Sequence, residues 1–208
     1  KIYINKDKEI SLQELTHLSN NIYEYNNILK RDNWNILWSK KIDYLEYQIN
    51  QTGKKYPLLV DSFSYFVGLA ENAISYIKNT ELETKKEQSD TESISHRKIK
   101  EENKINCIYD PQNIIIDHKS RDLAEYIKIS FIKNNPYIFK ELDIHFLNNY
   151  YSFYGIRLLY GRILYPSFYF ELYEEIIQNK KKETEIINIT NRINEYEKYL
   201  NNIFNYLK

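Results

Sequence analysis

The stretch INCIYDPQNIIIDHKSRDLAEYIK, residues 105–128, decides the fold. Ile105, Cys107 and Ile108 lead into Tyr109-Asp110-Pro111-Gln112, and Ile114, Ile115 and Ile116 follow. Two short β-branched runs about a Pro-containing turn predict one antiparallel hairpin near 105–116. Its second strand ends on Asp117-His118. Leu123, Ala124, Ile127 and Phe131 then repeat at helical spacing, with Asp122 placed to favour a helix start electrostatically, so a helix is expected near 121–133.

Outward from this stretch the periodic signal is helical. Trp34, Leu37, Trp38, Ile42, Leu45 and Ile49 fall on one face of a helix near 34–50. Leu69, Ala70, Ala73, Ile74 and Ile77 predict another near 68–78, after Gly68. Ile186, Ile189, Ile193, Tyr196, Leu200, Ile203 and Leu207 alternate steps of three and four and predict a helix near 184–207. Pro166 interrupts the helical pattern of 155–177, which implies two helices or a kink. Residues 79–104 turn polar and charged around a short apolar island at Ile94 and read as a solvated loop. Only 4 Gly and 4 Pro punctuate the chain, too few for an all-β sandwich. The expected class is mainly α with one short hairpin.

Composition excludes several functions. Lys plus Arg and Asp plus Glu are 29 each, so there is no basic field to draw in nucleic acid. No run approaches the ~18 uninterrupted apolar residues of a membrane span, and no signal-peptide pattern opens the chain. Cys107 is the sole cysteine, which rules out an intrachain disulfide and a cysteine zinc site; it reads as a small buried strand residue. Methionine is absent, which suggests a fragment whose natural start lies elsewhere.

The candidate chemistry gathers around His96, Asn103 and Asp117. A helical lobe whose hairpin delivers an Asp is the layout of a kinase C-lobe. There a first Asp accepts the proton of the acceptor hydroxyl, and an Asn and a second Asp hold magnesium against the phosphates, because a hard cation needs oxygen ligands. Ser95-His96-Arg97 is not read as a triad, since sequence neighbours rarely meet in that geometry. His17 and His145 read as structural, and the tyrosine-rich run 150–173 as core and partner surface.

The stretches WNILWSKKIDYLEYQI (34–49), SFSYFVGLAENAISYIKNTELE (62–83), DHKSRDLAEYIK (117–128) and IRLLYGRILYPSFYFELYE (156–174) resemble, in this order, the signature stretches of the YutH and CotS type of spore-coat, kinase-like proteins. The resemblance implies a single lobe over 1–208: the helical C-terminal lobe of a protein-kinase-like, aminoglycoside-phosphotransferase-like fold, without the nucleotide-binding N-lobe. It sets His96 at the head of the catalytic loop, Asn103 as a nucleotide–metal ligand and Asp117 as the metal ligand. Asp122 becomes the buried residue that braces the loop, and it is expected to accept bonds from near His96. Lys98 stands where the family has its catalytic Asp, and a lysine in a charged loop cannot take a proton at neutral pH.

The resemblance further implies synthesis in the mother-cell cytoplasm, a place in the endospore coat and coat proteins as partners, with neither nucleic acid nor membrane involved. ATP and Mg²⁺ are cofactors only for a full-length protein. The leading expectation is a degenerate kinase with a structural or interaction role. An active small-molecule phosphotransferase, with Asp90 or Asp110 as base, and a generic helical adaptor are the alternatives.

Overall fold

The computed structural model describes residues 10–20, 29–31, 33–99, 108 and 110–208. Helices dominate: α1 (Leu12–Asn20), α2 (Trp34–Thr52), α3 (Pro57–Glu83), α4 (Ser120–Ile132), α5 (Ile138–Asn148), α6 (Phe153–Leu164), α7 (Ser167–Ile177), α8 (Ile186–Thr190) and α9 (Ile193–Leu207). Strands β1 (Glu92–His96) and β2 (Ile114–His118) form a two-stranded antiparallel sheet. The sequence reads as one lobe; in the structure the contacts group the chain into two compact units, 1–31 with 84–159 and 32–83 with 160–208.

In the first unit β1 and β2 pair from Glu92 opposite His118 to His96 opposite Ile114. Lys30 adds a parallel bridge to Ile116, fixed by bonds from the Ile116 amide to the Leu29 carbonyl (2.9 Å) and from the Arg31 amide to the Ile116 carbonyl (3.0 Å). The second strand is where the isoleucine run places it. Its partner is not the 105–108 run, as expected, but Glu92–His96, inside the presumed loop 79–104. Ile105 and Cys107 lie outside the described residues. Ladder bonds are backbone bonds, so a segment as polar as Glu-Ser-Ile-Ser-His can pair without the β-branched signature that marks a strand in sequence. A small core of Ile10, Leu15 and Ile108, with Ile99 and Tyr126 against it, packs in this unit.

In the second unit α2 buries Trp34, Trp38, Ile42 and Leu45 on the face its periodicity predicts. Helix α3 starts eleven residues before the expected 68–78 span and ends five after it. Pro57 occupies the first helical position, where its missing amide hydrogen costs nothing. The Glu183 carboxylate then accepts the amides of Leu58 (2.7 Å) and Leu59 (3.1 Å). Gly68 begins no helix; it sits inside one, with open space where a Cβ would project. The helix expected at 184–207 is two, α8 and α9, because Ile-Ile-Asn-Ile-Thr-Asn-Arg is a run of weak helix formers. Stacked rings fill the core: Phe66 on Tyr169 (3.9 Å between centroids) and Trp38 on Tyr165 (4.2 Å). No helix among the described residues is long and apolar enough to cross a membrane.

Candidate functional site

The site grows from the ends of β1 and β2 in the first unit. Strand β1 ends on His96, 1% exposed, and α4 opens with Ser120-Arg121-Asp122, all buried. One oxygen of Asp122 accepts the His96 backbone amide at 3.0 Å; the other meets His96 Nδ1 at 2.6 Å. His96 Nε2 lies 3.1 Å from the Ile108 carbonyl. A carbonyl and a carboxylate only accept, so both ring nitrogens must donate, and His96 is an imidazolium. Burial opposes that charge, but the bond to Asp122, its negative charge and the Ile108 carbonyl overcome it and raise the pKa above the ordinary histidine value.

Arg121 ties this pair to Asp117. Its Nε donates to the His96 carbonyl (2.7 Å), its Nη2 to the Arg97 carbonyl (3.1 Å) and its Nη1 to Asp117 Oδ2 (2.7 Å). The other oxygen of Asp117 accepts the His118 amide at 2.7 Å. Asn113 fastens the next residues: its backbone carbonyl takes the Arg97 amide, its side-chain oxygen the Lys98 amide (3.0 Å), and its side-chain nitrogen donates to the Lys98 carbonyl (2.7 Å). The Lys98 side chain is exposed.

His96, Asp117 and Asp122 thus share one network through Arg121, and Lys98 joins it by its backbone. Asn103 lies outside the described residues. Two residues that hold the network, Arg121 and Asn113, were missed in the sequence. The signal for Arg121 was its i,i+4 spacing from Asp117, which puts opposite charges within reach when the backbone turns helically. Asn113 left no signal beyond its place in the turn.

Of the alternative bases, Asp90 is enclosed. Ser152 donates its hydroxyl to Oδ1 (2.5 Å) and the Glu87 amide donates to Oδ2 (2.7 Å). His118 Nε2 stands 3.6 Å from Oδ1, and burial holds the His118 pKa below the usual histidine value despite the pull of Asp90. Asp110 is a turn residue whose carboxylate accepts the Gln112 amide.

A magnesium ion at Asp117 would have to compete with the Arg121 guanidinium on one oxygen and the His118 amide on the other. The oxygen that would face the ion already carries a guanidinium, and among the described residues no group of three or more His, Cys, Asp or Glu could hold a metal ion. The site therefore presents a buried, cross-braced loop end with an exposed lysine at its tip.

The structure is mainly helical with one small two-stranded antiparallel sheet, and a buried carboxylate braces the end of the first strand. The family model described as "Spore coat putative kinase YutH" matches residues 6–203, and the chain belongs to that family. It is similar to the endospore coat-associated protein YutH of Bacillus subtilis (strain 168), with 34% identity over 186 residues, 81% of this chain and 55% of the relative. The chain spans about half the length of that curated relative. No solved structure matches it.

Proposed function

We propose that this chain is the helical lobe of a kinase-like protein that has given up phosphotransfer and acts as a structural or interaction component of the endospore coat, made in the mother cell and bound there by other coat proteins. The Arg121 bridge carries the reading. In a working phosphotransferase the second acidic residue must release its oxygens to magnesium; here Asp117 and two loop carbonyls share one guanidinium instead. Lys98, at the position of the catalytic Asp, supports it, since loss of general-base assistance alone removes roughly 10²–10⁴ in rate. The coat-associated name of the Bacillus subtilis relative supports the location.

The test is thermal unfolding of the full-length protein with and without ATP and Mg²⁺. A ligand a hundredfold above its dissociation constant adds about 2.7 kcal/mol, a shift of roughly 5–10 °C for a domain of this size. The expected result is no such shift and no turnover with small alcohols or proteins. Lys98→Asp alone is expected to create no activity, because Arg121 still holds Asp117. A nucleotide-dependent shift of that size together with several turnovers per second overturns the proposal in favour of an ATP- and Mg²⁺-dependent phosphotransferase.

A further inference from the structure

The first unit contains a second feature that the coat reading does not use. A cleft of about 530 Å³ opens between α1, α4 and α5, a volume suited to a small organic ligand. Glu141 stands in its wall. One of its oxygens, Oε2, accepts the Tyr126 hydroxyl (2.9 Å) and the Asn135 side-chain amide (3.2 Å), which fix the carboxylate in place. Its other oxygen, Oε1, has no partner among the described residues.

No lysine or arginine is found among the described residues lining the cleft. Asn148 donates its amide nitrogen back to the Ile144 carbonyl at 2.7 Å. The one buried histidine in the wall adds no charge. His145 Nδ1 lies 3.2 Å from the Thr16 hydroxyl and Nε2 3.2 Å from the Tyr151 hydroxyl, and burial, aided by the positive charge of Lys119, pushes its pKa down to about 4. Lys119 is not in the lining and donates to the Tyr150 carbonyl.

From a carboxylate fixed by Tyr126 and Asn135 in the wall of this cleft, with one oxygen left over and no lysine or arginine among the described lining residues, we infer that this cleft is a binding site for a small organic ammonium ion. The ammonium sits on Glu141 Oε1, and a short polar or apolar tail runs past Ile144 towards Asn148. An uncharged alcohol of the same shape can replace the hydrogen bond but not the charge, so charge is the discriminating property.

The experiment uses the full chain at pH 7 and two probes of equal length, 5-amino-1-pentanol and 1,5-pentanediol, titrated while the Ile and Leu methyl resonances are followed by NMR. The aminoalcohol is expected to shift the methyls of Leu12 and Ile144, and the diol is expected to leave them unmoved at the same concentration. Glu141→Gln keeps an acceptor for Tyr126 and is expected to weaken binding by about tenfold or more. Ile144→Trp, at a half-exposed position that the core does not depend on, is expected to block the cleft and abolish binding without changing the melting temperature. Equal binding of both probes, no binding of either, or wild-type affinity in Glu141→Gln each overturns the assignment.

Discussion

Replacing Asp122 tests the interior of the site directly. Asp122→Ala removes two bonds at once: the acceptor of the buried His96 amide and the counter-charge of a buried imidazolium. Leaving one member of a buried pair alone costs about 3–5 kcal/mol, a large part of a domain stability of roughly 5–15 kcal/mol. Asp122→Asn keeps an oxygen for the amide, and a neutral hydrogen bond returns about 1 kcal/mol of that loss. The pH dependence has a definite sign. His96 is raised in the folded protein, so its contribution is fully present below the unfolded value near 6.5 and is lost as pH rises through the folded pKa. Without Asp122 the remaining burial disfavours the charged ring, and the variant weakens further as pH falls. The gap between wild type and Asp122→Ala is therefore largest near pH 5 and narrows towards pH 8. Urea unfolding followed by far-UV circular dichroism across that range measures it, since Trp34 and Trp38 both lie in the other unit. A cost below 1 kcal/mol, or a gap that widens with pH, would refute the imidazolium–carboxylate assignment.

Arg121→Ala leaves Asp117 without its guanidinium and frees the His96 and Arg97 carbonyls; a loss of about 3–5 kcal/mol is expected in the same urea assay. Glu183→Ala strips the cap from the start of α3 and is expected to cost about 1–2 kcal/mol, with Glu183→Gln keeping part of it. Gly161→Ala places a Cβ 2.5 Å from Ile77 Cδ1 and 2.9 Å from its Cγ1. Ile77 is itself buried and cannot swing away, so a loss of about 1–3 kcal/mol should appear in thermal unfolding.

What could be read from the sequence follows which interactions are written in side-chain periodicity. Helices α2 and α4 were visible because Trp34, Trp38, Ile42 and Leu45, and then Leu123, Ala124 and Ile127, fall on faces that the fold buries. The true start of α3 was hidden because its cap comes from Glu183, more than a hundred residues away. The hairpin was half legible. Ile114–Ile116 announces a strand, but local reading gives it the nearest β-branched run as partner, and the backbone chose Glu92–His96 across a longer connection. In the site, His96 and Asp117 could be picked from their types and order, and Asp122 from the family resemblance. Arg121 left only its i,i+4 spacing from Asp117, since two of its three partners are main-chain carbonyls that no residue pattern records.

That hidden residue changes what the site can do. The bond from Arg121 to Asp117 is one of three made by the same buried guanidinium. A competing cation would have to compensate for a guanidinium stripped of three bonds and still buried. A magnesium ion arriving with a nucleotide brings charge to Asp117 but nothing to the two loop carbonyls that Arg121 also holds. On the proposed reading an exchangeable cation has thus been replaced by a covalently attached one. On the same reading the exposed Lys98 places a lysine side chain where a phosphotransferase has its catalytic carboxylate.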